Sequence, residues 1–247
     1  MNTTAQRLQK VLANAKIGSR REIESMISAG KISVNGKLAI LGTKVSEQDV
    51  IKVNNKIVRL NKSHQHELLL YHKKVGEICT RSDPENRKTV FANLPKPKSG
   101  RWISVGRLDI NTSGLMIFTT DGNLANKLMH PSSQVDREYA VRIFGKASEE
   151  QLQQLKDGVA IEGGIAKFSD IVVAGGTGAN NWYHVVLRQG KNREIRKAWE
   201  SLGLPVSRLI RVRFGPFELA KLRAGKCLTL SKSDEQFLLE YLTRCQN

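Results

Sequence analysis

Apolar residues near the start of the chain recur at helical spacing, and Gly18 ends the run. The run consists of Leu8, Val11, Leu12 and Ala15. Ser19 then precedes Glu22 by three positions, the spacing of a capping box, so a second helix is predicted to begin there. Its buried stripe comprises Ile23, Met26 and Ile27, and Gly30 closes it. These patterns predict a pair of short helices.

After the second helix the pattern changes from helical spacing to alternation. Residues 32–34 alternate and lead into Asn35-Gly36, a pair that favours a type I′ hairpin turn. Residues 50–53 predict a returning strand. A short helix pair followed by a small antiparallel sheet is therefore expected.

A polar stretch without periodicity, residues 63–67, predicts a linker between a first domain at residues 1–62 and a second at residues 68–247. In the second domain, short apolar runs are interrupted by helical patterns. The apolar runs are 68–71, 117–118, 139–143, 171–173, 184–187 and 209–214, and the helical patterns are 123–129, 149–157 and 194–202. Strands interrupted by helices in this way predict an α+β fold with a mixed sheet.

Charge adds a candidate partner to this picture. The 247 residues include 40 basic and 23 acidic side chains, which gives a net charge of +17. The first domain alone carries 12 basic and four acidic residues. Such an excess attracts polyanions, so nucleic acid is the leading partner and an acidic membrane surface the alternative.

The chain offers little sign of membrane insertion, disulfides or metal binding. No apolar run approaches the ~18–20 residues that cross a bilayer, and the N-terminus lacks the apolar core of a signal peptide, so we expect a cytoplasmic protein. The three cysteines are far apart and form no C-x-x-C pair. Ordinary surface or half-buried histidines are therefore favoured over a structural zinc site.

One carboxylate lies in an unusual sequence setting. In the stretch GRLDINTSGL, Asp109 lies between two glycines, Gly106 and Gly114, on a loop predicted to join two strands. A rigid loop that holds one carboxylate at a cleft would suit a nucleophile or a general base. The alternative is an ordinary turn aspartate.

Two further segments carry candidate chemistry. Residues 188–197 place five cations where a strand gives way to a helix, a site suited to phosphates or to a guanidinium beside a carboxylate. In Arg137-Glu138-Tyr139 an aromatic ring stands close to a cation, which suits stacking on an unpaired base. The alternatives are a solvated helix face and a core tyrosine.

The segment SRREIESMISAGKISVNGK resembles the S4 RNA-binding domain, and the likeness covers roughly residues 5–60. That domain presents a helix pair and an adjoining loop to structured RNA. The resemblance implies that several basic side chains face phosphates, the alternative being a solvated basic surface. They are Arg7, Lys10, Arg20, Arg21 and Lys31.

Taken together, GRLDINTSGLMIFTTDG, REYAV and GKNREIRKAWESLG resemble the RsuA/RluB family of ribosomal RNA pseudouridine synthases, and within it the large-subunit synthases. The resemblance implies a mixed, mainly antiparallel sheet with flanking helices. It also implies that Asp109 is catalytic, that Tyr139 stacks on the target uracil, and that Arg196 pairs with the catalytic carboxylate while Ile195 packs beneath it.

The implied reaction fits the residues present. Converting uridine to pseudouridine breaks the N1–C1′ bond, rotates the uracil and joins C5 to C1′, with no gain or loss of electrons. We therefore expect no cofactor and no metal. One ionised aspartate could attack the sugar, attack the base or remove a sugar proton. Arg107 and Lys191 are expected to hold flanking phosphates.

Other functions stay open at this point. A non-catalytic S4-type protein that binds RNA or ribosomes would share the basic helices, and a synthase could act on small-subunit RNA instead. The glycine cluster 175–178 is the one feature that might suggest a methyltransferase, but it predicts a hairpin loop. We expect a monomer whose partner is ribosomal RNA or a pre-ribosomal particle, without membrane attachment.

Overall fold

The computed structural model describes residues 5–58 and 66–245, which fall into two compact units. The first unit is Met1–His66 with Pro97–Arg101, and the second is Glu67–Lys96 with Trp102–Asn247. Of the predicted linker, residues 63–65 lie outside the described residues. Glu67 belongs to the second unit, where its amide donates a hydrogen bond to Oγ1 of Thr120.

The first unit combines two helices with short strands. Its elements are β1 (Gln6–Arg7), α1 (Leu8–Asn14), α2 (Arg20–Ser28), β2 (Ile32–Val34), β3 (Lys37–Leu38), β4 (Lys44–Val45), β5 (Ile51–Val53) and β6 (Lys56–Ile57). The strands form an antiparallel sheet in the order β3-β2-β5-β6, and β1 pairs with β4. One apolar core, which includes Leu8, Leu12 and Ile23, joins the helices to the sheet.

Local signals account for much of this unit. Ser19 accepts a hydrogen bond from the Glu22 amide and its own amide donates to the Glu22 carboxylate, which confirms the predicted capping box. Asn35 and Gly36 have φ values of 50° and 83° between β2 and β3, which confirms the predicted turn. The returning strand is β5, which pairs directly with β2.

The second unit is built on a large sheet. Its strands are β7 (Leu68–Lys73), β8 (Ile103–Val105), β9 (Ser113–Thr119), β10 (Arg137–Phe144), β11 (Val159–Ile161), β12 (Gly164–Ala166), β13 (Asp170–Thr177), β14 (Asn180–Leu187), β15 (Val206–Phe214), β16 (Phe217–Glu218) and β17 (Cys227–Thr229). Its helices are α3 (Gly122–Met129), α4 (Glu149–Asp157), α5 (Glu194–Glu200) and α6 (Lys232–Cys245). Two short 3-10 turns lie at Val90–Asn93 and Pro131–Ser133.

Nine of these strands form one sheet in the order β13-β14-β10-β15-β9-β7-β17, with β16 beside β15 and β8 beside β9. Strands β11 and β12 pair separately with each other. Strands β9 and β15 run parallel, with Ser113 opposite Ile210 and Gly114 opposite Arg211. The other pairs in this described sheet are antiparallel. The parallel pair joins a half built from β10, β13, β14 and β15 to a half built from β7, β8, β9 and β17.

Each half of the sheet has its own apolar core. One core includes Trp199 of α5 and Leu155 of α4 beside the first half, and another includes Leu124 of α3 and Leu238 of α6 beside the second. The structure confirms the predicted α+β class and the mainly antiparallel mixed sheet. Residues 175–178 lie at the β13–β14 hairpin, as the glycine cluster predicted. Helix α6 was not predicted from the sequence.

Candidate active site

Asp109 lies in the connection between β8 and β9 and is half-buried. The connection is closed on itself, because the Thr112 amide donates to the Asp109 carbonyl at 3.0 Å. A second link to the neighbouring chain comes from the Gly76 amide, which donates to the Ile110 carbonyl at 2.8 Å. The backbone that follows the Asp109 side chain is therefore fixed by hydrogen bonds.

Lys73, the last residue of β7, contacts the backbone of the same turn through its side chain. Its side chain is fully buried, and Nζ lies 2.9 Å from the carbonyl oxygen of Asp109 and 2.7 Å from that of Thr112. It also contacts the carbonyls of Lys74 at 3.0 Å and Ile110 at 3.4 Å. Burial lowers the pKa of Lys73 because it disfavours the charged ammonium group. The carbonyl dipoles, together with nearby anionic groups, offset this desolvation cost.

Gly114, on β9, permits the close approach of β15. Its φ is +113°, and a Cβ at this position would lie 2.3 Å from the carbonyl oxygen of Arg211 on β15. A side chain would therefore push the parallel strands apart. Gly106, at the other end of the connection, has a φ of +75° with open space around it.

A cavity of about 140 Å³ lies over the Asp109 turn, and we call it the aspartate cavity. Asp109, Tyr139 of β10 and Ile195 of α5 all line it. The remaining lining residues are Arg107, Leu108, Thr112, Leu187, Gln189–Glu194 and Leu209. The β8–β9 connection, strand β10 and the start of α5 thus bring the predicted carboxylate, ring and aliphatic side chain to one place.

Arg196 lies behind this cavity and differs in detail from the expectation. It is buried, and its two terminal nitrogens donate to the carbonyls of Val206 at 2.8 Å and Asn111 at 3.0 Å. Within residues 5–58 and 66–245, it forms no ion pair with Asp109 inside 4.0 Å. Burial lowers the pKa of Arg196 and Arg193 lowers it further, while the charge of Asp109 acts in the opposite direction. Arg196 therefore supports the Asp109 turn through its backbone.

The two predicted phosphate contacts of the second unit both line the aspartate cavity. Arg107 is exposed, whereas Lys191 is half-buried and its Nζ contacts the Ile165 carbonyl. The Lys191 amide donates to the carboxylate of Glu194 at 3.0 Å, which fixes the entry into α5. The mouth of the cavity therefore presents cations.

In the first unit, the predicted basic residues lie on β1, α1, the first turn of α2 and the approach to β2. Arg7, Arg20, Arg21 and Lys31 are exposed, and Lys10 is half-buried. Arg101 also belongs to the first unit, but the sequence did not predict this because Arg101 lies far along the chain from residues 1–62. Burial lowers its pKa, and the nearby charge of Arg20 lowers it further.

Within residues 5–58 and 66–245, no group of three or more histidine, cysteine, aspartate or glutamate side chains could hold a metal ion. None of the described helices combines the length and apolar character needed to cross a membrane.

Several residues of the site were missed by sequence reasoning, among them Leu187, Leu209 and Lys73. Leu187 ends one apolar run and Leu209 begins another, so neither could be distinguished from an ordinary core residue. Lys73 left a weak signal, since it shares the inward-facing alternation of Leu69 and Tyr71 on β7. A lysine at such a position needs buried acceptors.

A basic helix-and-sheet module thus precedes a sheet domain in which Asp109 and Tyr139 line one cavity. The RNA pseudouridylate synthase family matches residues 67–201, and the S4 domain matches residues 6–51. The chain belongs to the RNA pseudouridylate synthase family.

Curated relatives are similar along most of the chain. Ribosomal large subunit pseudouridine synthase B of Pseudomonas aeruginosa is 51% identical over 95% of this chain, and that of Haemophilus influenzae is 54% identical over 87%. The chain spans 62% of the length of each of these two relatives. The synthase B of Escherichia coli K12 is 50% identical over 96% of this chain and 83% of its own length.

A solved structure supports the fold. The crystal structure of a pseudouridylate synthase aligns with 94% of this chain and 99% of its own, with a TM-score of 0.65 and 21% sequence identity. At this identity the likeness establishes the shared fold.

Proposed function

We propose that this protein isomerises a uridine of large-subunit ribosomal RNA to pseudouridine, with Asp109 as the catalytic carboxylate. The observation that carries the proposal is the aspartate cavity, where Asp109, Tyr139 and Ile195 meet although they are distant in sequence. The large-subunit target rests on the names of the relatives that are about half identical to this chain.

Each residue has a distinct role in this proposal. The Asp109 carboxylate attacks the nucleoside or removes a sugar proton, and the ring of Tyr139 stacks on the uracil after it leaves its helix. Extrusion costs a few kcal/mol, of which stacking returns about 1–3 kcal/mol per base. Ile195 and Leu209 provide apolar walls that exclude water. The detached uracil can then join C1′ through its C5 atom before water attacks the sugar.

Arg196 acts on the reaction indirectly. By binding the carbonyl of Asn111 it holds the turn that carries Asp109. Arg107 and Lys191 bind phosphates at the cavity mouth. The exposed cations of the first unit, Arg7, Arg20, Arg21 and Lys31, with Lys10, bind phosphates of structured RNA.

The proposed setting follows from the substrate. The protein works on ribosomal RNA or a pre-ribosomal particle in the cytoplasm, as a monomer, and uses neither a cofactor nor a metal ion. All groups that the isomerisation requires are side chains of one chain.

Tritium release tests the catalytic assignment. Formation of the C5–C1′ bond expels the hydrogen on C5, so a large-subunit ribosomal RNA transcript labelled with tritium at uridine C5 loses label on each turnover. Asp109→Asn is expected to lower the release rate by at least about 10²-fold while RNA affinity stays close to that of the unmodified protein.

Asp157→Asn is the matched control, because it makes the same chemical change at the exposed end of α4. It should retain full release. Turnover by Asp109→Asn at the rate of the control would refute the assignment, and absence of release by the unmodified protein would refute the function.

A further inference from the structure

A second cavity, larger than the first, shares Tyr139 with it as a lining residue. Its volume is about 460 Å³, within the range typical of ligand sites. We call it the arginine cavity because Arg107, Arg137, Arg188 and Arg211 line it together with Lys191. No acidic side chain is among its lining residues.

The two innermost arginines flank one aromatic ring. The guanidinium of Arg137 lies 5.3 Å from the centre of the Phe214 ring, and that of Arg211 lies 5.2 Å from the same centre. Both arrangements gain some cation–π energy. Neither arginine forms an ion pair with a carboxylate in the part of the chain that the structure describes. Arg188, in contrast, is paired with Asp136 at 3.0 Å.

The guanidinium of Arg211 is fixed by one hydrogen bond and keeps an unpaired donor. The residue is 2% exposed, and its Nε donates to the Leu115 carbonyl at 2.7 Å. Its Nη2 is buried and has no hydrogen-bond partner among the residues that the structure describes. A buried donor of a charged group is costly to leave unpaired, and such a group in a native structure calls for a ligand or ion.

Arg137 is also anchored and poorly solvated. Its Nη1 donates to the Arg188 carbonyl at 2.7 Å and the Gln189 carbonyl at 3.3 Å. Burial lowers the pKa of Arg137, and the charge of Arg211 lowers it further, against opposing effects of Tyr139 and Glu194. Arginine nevertheless stays charged. Two like charges therefore face one cavity without a counter-ion of their own.

We propose that the arginine cavity binds a backbone phosphate of the RNA beside the target uridine, with Arg137 and Arg211 as its two donors. This proposal rests on the proposed function. Tyr139 forms a wall of both cavities, so a nucleoside stacked in the aspartate cavity brings the adjoining phosphate to the arginines. The apolar lining from Phe214, Met129 and Pro131 accommodates the neighbouring sugar.

The test compares two arginines of the same strand. Arg137→Gln removes a donor of the arginine cavity, whereas Arg142→Gln removes an arginine that lies over Trp182 and does not line it. Binding of the full-length protein to a large-subunit ribosomal RNA transcript is measured over a range of salt concentrations, and tritium release gives kcat and KM.

For Arg137→Gln we expect about tenfold weaker binding and a slope of log K against log salt that is smaller by about one contact. The loss in kcat/KM should appear mainly in KM. Arg137→Lys keeps the charge, so it should restore most of the slope. Arg142→Gln should match the unmodified protein, and near-ultraviolet circular dichroism checks that each variant is folded.

Several results would overturn the proposal. These are equal affinities of folded Arg137→Gln and Arg142→Gln, a loss confined to kcat, or tight binding of inorganic phosphate that Arg137→Gln abolishes without any change in RNA affinity. Failure of the proposed function is distinguishable, because the unmodified protein would then release no tritium while the binding comparison could still be made.

Discussion

Lys73→Met removes the buried ammonium group that holds the Asp109 turn while preserving a side chain of similar length. Four carbonyl groups lose a contact at 2.7–3.4 Å. Those of Asp109 and Ile110 keep a backbone donor, from Thr112 and Gly76. The carbonyls of Lys74 and Thr112 lose the donor that the structure gives them.

The size of the effect follows from these two groups. An unsatisfied buried polar group costs about 1–3 kcal/mol, so the loss is about 2–6 kcal/mol before compensation. Removal of the desolvated ammonium returns part of this cost, since burial itself disfavours the charge and lowers the pKa of Lys73. We therefore expect the free energy of unfolding to fall by about 3 kcal/mol.

Urea denaturation measures this loss, and tritium release by the folded variant measures its effect on chemistry. We expect kcat to fall more than RNA affinity, because the turn that carries Asp109 is displaced while the basic surfaces are unchanged. Lys74→Met is the control, since Lys74 is exposed and adjacent in sequence; its cost should stay within about 0.5 kcal/mol. The reasoning fails if Lys73→Met matches Lys74→Met in both stability and kcat.

Two further predictions concern the sheet. Gly114→Ala should cost about 3–5 kcal/mol in urea denaturation because its Cβ would overlap the Arg211 carbonyl, whereas Gly106→Ala, at a positive φ without overlap, should cost about 1 kcal/mol; equal costs would contradict the close approach. Burial alone would raise the pKa of Glu138, but hydrogen bonds from His184 and an arginine guanidinium lower it, so its ionised form stabilises the fold above about pH 4.5 and this stability is lost as pH falls through the lowered value. Glu138→Gln should flatten that acid dependence, and an unchanged slope would disprove the linkage.

Features that depend on neighbouring residues were predictable from the sequence. The capping box at Ser19 and the turn at Asn35-Gly36 each need only a few adjacent residues, and both were confirmed. The short apolar runs 139–143 and 209–214 likewise located β10 and β15 to within a few positions.

Features that depend on contacts between residues distant in the chain were not predictable from the sequence. The acceptors of Lys73 lie 36–39 residues away in three of four cases, and the acceptor of Arg196 at Asn111 lies 85 residues away. Local pattern carries no information about such pairs. The expectation of a direct ion pair between Arg196 and Asp109 came from resemblance, and the structure places the guanidinium on the backbone of the turn instead.

The parallel pairing of β9 with β15 determines when the aspartate cavity can form during synthesis of the chain. The two strands are roughly 100 residues apart in the chain, and Asp109 belongs to one half-sheet while Tyr139 belongs to the other. A ribosome-bound chain that has delivered β7, β8 and β9 still lacks β15, the strand that pairs with β9. The pocket is therefore assembled only after β15 has been made, by closure of a long loop, because Leu209 of that strand lines it.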